Sequence, residues 1–154
     1  MVMVIIAILA VAIVVRNPFD AIKLSSATRK VAGDIRYAQK LAISNQSRAG
    51  LVFAAAGYSV YRDMTVAAPY PAAVSPGDPC STDSSNNFVV DFNDPRCSNY
   101  QNVTLAPPAT TIAFNALGSP VDAAGGAIGP VTITVTYNGS QTITIAAGTG
   151  RVSY

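Results

Sequence analysis

The first fifteen residues, Met1 to Val15, read MVMVIIAILAVAIVV without one polar side chain. No amphipathic surface element can be built from such a run. As a helix it rises about 22 Å, short of the roughly 30 Å hydrocarbon core of a bilayer. Three readings compete. A buried core helix would normally show some polar face. A cleavable secretory signal would carry basic residues ahead of the run and a small-x-small site behind it, and Arg16-Asn17-Pro18 offers none. A membrane anchor needs only a few further apolar residues upstream, and this reading is preferred. Its Ile, Val, Leu, Ala and Met side chains suit lipid and a tight helix bundle equally. Arg16, Lys23, Arg29 and Lys30 come after the run and no basic residue precedes it. The positive-inside tendency alone would put the carboxyl-terminal part in the cytoplasm, whereas two cysteines and a β-rich remainder argue for export. A basic leader upstream would remove that conflict.

The rest of the composition limits the chemistry. The 154 residues allow one domain plus an appendage. Half are hydrophobic, 12% are charged, and mean hydropathy is +0.34, which excludes a disordered chain. All eight acidic residues are Asp, and His, Glu and Trp are absent. Imidazole-dependent nucleophilic catalysis, His-ligated zinc and Glu acid–base pairs are therefore excluded. Two cysteines are too few for a zinc site built from thiolates alone. A formal charge of +2 makes no strong field for nucleic acid. An enzyme is not expected, and no cofactor or metal is called for.

From Phe19 to about Ser47 there is no Pro and one Gly. Leu24, Ala27, Val31, Ile35, Ala38 and Ala42 recur at helical spacing, with Ile22, Leu41 and Ile43 widening the stripe. Lys23, Arg29, Lys30, Arg36 and Lys40 lie mostly off it. This is an amphipathic helix docked on a sheet, and Pro18 either starts it or kinks a continuous longer one. Residues 1–48 thus form an anchor and spine helix, and residues 49–154 a β-rich domain. Ala49–Ala54 and Tyr58–Asp63 form a hairpin around Ala-Ala-Gly. Thr65 to Asn87 is a long loop crossing five Pro or Gly residues. Phe88–Phe92, Val103–Leu105 and Thr111–Phe114 are short strands. Val131 to Ala146 alternates branched apolar residues with Thr around Asn138-Gly139, the signature of a type I′ hairpin. Arg151–Tyr154 closes the chain as an edge strand. The class is α+β, one helix on an antiparallel sheet.

Cys80 and Cys97 fall in the loop-rich middle and are expected to pair, closing a loop worth roughly 3 kcal/mol in the chain-entropy model. Asp78, Asp83, Asn86, Asn87, Asp91, Asn93 and Asp94 crowd the same stretch. They could hold calcium, but their spacing does not match an EF-hand, and turn chemistry is the preferred reading.

The opening run, its break at Arg16-Asn17-Pro18 and the amphipathic helix together resemble the amino-terminal helix of type IV pilins and type II secretion pseudopilins. Towards the carboxyl terminus, Phe114-Asn115-Ala116-Leu117-Gly118-Ser119-Pro120, two Thr/Ile-rich strands and Gly150-Arg151-Val152 resemble the β-domain of the GspH/FimT group of minor pilins. The resemblance implies a filament subunit with a pilin fold and no catalysis. Such subunits are processed by a prepilin peptidase and methylated, held in the bacterial inner membrane with the globular domain periplasmic, and then packed helix to helix with other pilin or pseudopilin subunits. Minor members help to start assembly at the tip. Val2, Ile5, Ile6, Ile8, Leu9, Ala12 and Ile13 would carry that packing, and Pro18 would set the angle between anchor and domain. Phe114, Gly118, Pro120, Gly150, Arg151 and Val152 are the matching motif positions. The family pattern begins with a basic leader ending in Gly and then Phe-Thr-Leu-Ile-Glu. That stretch is expected to lie upstream of Met1. Alternatives are a major filament subunit and a DNA-binding minor pilin of an uptake system. The latter would use Arg151 with Lys23, Arg29, Lys30, Arg36 and Arg48, although the tail carries only one basic residue.

Overall fold

The computed structural model describes residues 18–81, 83 and 85–154. The proposed packing residues Val2, Ile5, Ile6, Ile8, Leu9, Ala12 and Ile13 lie outside the described residues. Among those described, no helix is long and apolar enough to cross a membrane.

Helix α1 spans Pro18–Asn45. Leu24, Ala27, Val31, Ile35, Ala38 and Ala42, the stripe read from the sequence, are all buried. Alanine at four of the inward positions (27, 32, 38 and 42) brings the helix backbone close to the strands beneath, while Ile35 and Val31 supply the apolar volume. Leu41 is half-buried against the core. Ile22 and Ile43 do not widen the stripe as expected and are exposed. At 100° per residue, Ile22 falls opposite the stripe and Ile43 roughly 115° round from its centre. The helix ends at Asn45 rather than about Ser47. Gln46 takes a left-handed φ of 50°. The Ser47 amide returns to Ala42 O and the Gln46 amide to Ile43 O, a Schellman stop without its usual glycine.

Among the described residues nine strands come after the helix: β1 (Ala49–Ala54), β2 (Gly57–Tyr61), β3 (Val89–Asp91), β4 (Thr104–Ala106), β5 (Thr111–Phe114), β6 (Pro120–Val121), β7 (Val131–Thr136), β8 (Ser140–Ile145) and β9 (Val152–Ser153). They form two antiparallel sheets, where the sequence pattern led us to expect one. The first runs β3-β2-β1-β5-β6 and the second β4-β7-β8-β9. The chain changes sheet three times: across Pro95–Tyr100 between β3 and β4, at Pro107-Pro108 between β4 and β5, and across Gly125 to Pro130 between β6 and β7. Proline lacks the amide a ladder needs, so the ladders part there.

Helix α1 lies across both sheets. Under it, Leu51, Val60 and Ile112 line up across β1, β2 and β5. Ile133 faces Ile143 and Val131 faces Ile145 across β7 and β8. All belong to one continuous core, and each fully buried Ile or Leu contributes about 1.5–3 kcal/mol. The type I′ turn expected at Asn138-Gly139 is instead a three-residue loop. Thr136 pairs with Ser140, and Asn138 sits at the apex with φ 46°. Asn138 Nδ2 donates to Asp20 Oδ2 at 3.1 Å, and Lys23 Nζ lies 4.2 Å above the Tyr137 ring. The tip is thus shaped to reach the first turns of α1.

The long loop covers the far face of the first sheet. Met64 is fully buried against Ala113 and Val121, and Tyr70 packs edge-on to Tyr61 at 5.6 Å. Arg48 secures it with Nε donating to Met64 O at 3.0 Å.

Candidate assembly surface

Three features of α1 bear on function: two attachments to the β-domain and an outer side left largely bare.

The motif residues meet at the first attachment. Asn115 folds the 114–120 turn on itself, its Oδ1 accepting from the Leu117 and Ser119 amides at 3.0 Å each. Gly118 takes φ 81° there, and Phe114 pairs with Pro120 across β5 and β6. Ser119 Oγ donates to Gly148 O, joining this turn to the one before β9. Gln39 of α1 reaches both. Its Nε2 donates to Gly118 O at 2.8 Å, Gly150 O at 3.2 Å and Thr149 O at 3.3 Å. A Cβ on Gly150 would overlap Gly118 O, and the residue's φ of 64° also favours glycine. One turn away, Arg36 Nη2 donates to Val152 O at 3.0 Å and its guanidinium lies over the Tyr154 ring. The motif is therefore a clasp between helix and carboxyl terminus. Arg151 serves it through the backbone, its carbonyl accepting from the Ala146 amide at 2.9 Å while the residue itself is exposed.

The second attachment is charged. Lys30 Nζ donates to Asp78 Oδ2 at 2.8 Å, Ser81 Oγ at 2.7 Å and Asp34 Oδ2 at 3.3 Å. Tyr58 OH donates to the same Asp34 oxygen at 2.5 Å. Burial raises the Asp34 carboxyl above the usual range, and Lys30 and Tyr58 only partly oppose it. Burial also lowers Lys30, but Asp34 and Asp78 outweigh it and the ammonium ends above its ordinary value. Burial raises Asp78 in turn, yet Lys30 and the Cys80 amide outweigh it and hold the carboxyl low. Tyr58 is driven well up by burial first and then by Asp34. Beside this cluster, Cys80 and Cys97 form a disulfide with Cα atoms 4.7 Å apart. It joins the short 3-10 turns at Pro79–Ser81 and Pro95–Tyr100. The loop is thereby bound to the helix by an ion cluster and to the turn after β3 by a covalent bond.

Phe19, Ile22, Ser26, Arg29, Gly33, Arg36, Lys40 and Ile43 succeed one another along the outer face of α1, all exposed. Phe19 is 74% and Ile22 61% exposed, on one wall of an open groove completed by Ser98, Asn99 and Tyr100.

A family model for the type II transport protein GspH matches residues 27–150, most of the chain. The chain belongs to the GspH family. Two crystal structures of the type IV minor pilin FimU from Pseudomonas aeruginosa (strain PAO1) share the fold. One, in space group P65, superposes with a TM-score of 0.55 at 15% identity, covering 84% of this chain and 90% of that one. The other, in P21, gives 0.53 at 16% identity, covering 84% and 86%. No curated protein sequence matches the chain.

In this GspH-family subunit the cations named for DNA contact are dispersed. Lys30 is committed to the ion cluster, Arg48 to Met64 O and Lys23 to the Tyr137 ring. Of the six, Arg29 and Arg36 share the outer helix face, and exposed Lys40 joins them. The Asp and Asn residues weighed for calcium serve turns: Asp83 Oδ1 accepts from the Ser85 and Asn87 amides, Asp91 from Asn93, and Asp94 from Arg96. Arg96 holds Asp94 down to about 2. No group of metal-ligating side chains gathers among the described residues. Sequence reasoning missed Gln39 and Asp34. Both are ordinary polar residues in a helical pattern, and nothing local marks the carbonyls or the tyrosine they meet.

Proposed function

We propose that this GspH-family chain is a minor subunit of a type II secretion pseudopilus or a related type IV pilus, acting in filament initiation or at the tip, and that it is not an enzyme. Before assembly the run Met1–Val15 holds it in the inner membrane with the β-domain in the periplasm. Afterwards the same run packs among the helices of other pilin or pseudopilin subunits. A prepilin peptidase would process the precursor. One observation carries this reading: the sequence sets an apolar run, followed by Arg16-Asn17, ahead of a helix whose first turns leave the apolar side chains of Phe19 and Ile22 uncovered by the described residues. The motif clasp then locks the β-domain to the helix that would transmit assembly forces.

The test is to delete the chain in its host and count filaments or measure secretion, with sheared filaments probed for the chain. The expected result is strongly reduced assembly, restored by the native chain but not by Ile6→Asp, and a small amount of the chain relative to the main subunit. Normal filament numbers together with absence of the chain from the filament would sink the reading.

A further inference from the structure

The outer face of α1 has a charge pattern and a glycine for which the subunit itself has little use. Arg29, Arg36 and Lys40 fall within about 20° of one line along it. No carboxylate of the helix shares the face: Asp20 falls on the opposite side, toward the β-domain, bonded to Asn138, and Asp34 is turned inward to Lys30 and Tyr58. Arg29 and Lys40 make no ion pair among the described residues. Between them stands Gly33, mid-helix, where a Cβ would meet nothing within 4 Å. Nothing among the described residues requires glycine there, although it costs a helix interior about 0.5–1 kcal/mol relative to Ala. A missing side chain on an exposed helix line allows another helix to approach closely. The ends of the line are apolar, with Phe19 and Ile22 at one and Ile43 at the other.

We infer that this face is the docking surface for an acidic helix on a different filament subunit, crossing at Gly33, and that its row of cations excludes a second copy of this chain. Two copies laid face to face would oppose Arg29, Arg36 and Lys40 with the same residues, and like charges at close range are unfavourable. A carboxylate-bearing helix gains from the same geometry. Apolar ends and an open glycine fit a protein helix and are of no use to a nucleic acid, which would want further cations instead. The inference rests on the filament-subunit reading and explains how such a subunit would stay minor: it recognises others better than itself.

The probe is this chain with Arg29→Glu and Lys40→Glu, leaving Arg36 in place because it also holds Val152. Full-length native-charge and charge-reversed chains, each with Ser26→Cys carrying a donor or acceptor dye, are mixed in dilute detergent micelles and read by energy transfer. The mixed pair should associate at least about fivefold more tightly than the native-charge pair, and the advantage should shrink as salt rises. Gly33→Leu in either partner should reduce the mixed association. Gly33→Ala should instead raise the melting temperature of the lone subunit. Equal association of native-charge and mixed pairs at low salt would overturn the inference, as would indifference to Gly33→Leu. Salt-sensitive binding of a short DNA duplex that competes with the reversed chain would overturn it in favour of nucleic acid. None of these outcomes depends on whether the chain is recovered from sheared filaments, so the two readings fail separately.

Discussion

The two attachments of α1 hold the same helix by opposite chemistry. At the motif clasp, a neutral amide on Gln39 donates to three carbonyls, two of them on buried glycines: the bare Gly150 lets the two turns touch, and the bare Gly118 makes room for Ile43 and Gln39 of the helix. At the other, Lys30, Asp34, Asp78 and Tyr58 enclose charge beside the disulfide. The first depends on shape and is indifferent to pH; the second depends on ionisation. The clasp lies between segments that resemble a family motif, and the ion cluster reaches into the loop with no counterpart in that motif. A fixed backbone arrangement thus secures the carboxyl-terminal turns to the helix, while charges hold the long loop to it.

This contrast can be broken experimentally, starting at the clasp. Gly150→Val places a side chain against Gly118 O in a left-handed backbone, adding overlap to strain, and should cost about 4 kcal/mol in urea unfolding. A loss under about 1 kcal/mol would show that the two turns can separate freely. Next comes Lys30→Met, which leaves Asp34 buried without its cation and should cost about 3 kcal/mol. Adding Asp34→Asn should return part of that loss in a double-mutant cycle, and strict additivity would mean the two are not coupled.

Gln39→Ala should cost about 1–2 kcal/mol through the carbonyls it abandons, by the same amount at neutral and at strongly alkaline pH. Tyr58→Phe is the smallest change at neutral pH, about 1 kcal/mol, and it separates the two chemistries. The folded phenol resists ionising whereas the unfolded one ionises near pH 10, so stability falls as pH rises past about 10. Lys30 has the same sign: its raised value contributes stability below the ordinary lysine pKa that is lost as pH climbs through the raised one. Melting curves from about pH 8 to about pH 11 should therefore fall less steeply for Tyr58→Phe than for the native chain, while Gln39→Ala runs parallel to it.

Elements that repeat a local period were legible in advance. Leu24 to Ala42 reads as a buried stripe because burial follows a helical period. The Thr/Ile hairpin of β7 and β8 shows itself because alternate side chains face opposite ways. Its loop length was misjudged, since Asn-Gly permits a two-residue turn without enforcing one, and Asn138 is drawn to Asp20 more than a hundred residues away. The division into two sheets was hidden for a similar reason. Pro107-Pro108 marks a break, but whether the next strand rejoins the same ladder is decided by which strands have free edges. Residues 65–72 read as bare loop because the cluster that Tyr70 and the preceding Met64 join includes Ala113 and Val121, on strands far along the chain.

Spacing and order along the chain were enough for the α+β class, the apolar run, the inward stripe of α1 and the family, since each is a local or serial pattern. Folding had to intervene before Gln39 could close the motif, before Asp34 could share its proton environment with Tyr58 and Lys30, and before Gly33 could be seen to face open space. The first two are meetings between residues up to about 110 positions apart. Their energies come from burial and from contact between distant segments, and neither exists until the chain has folded.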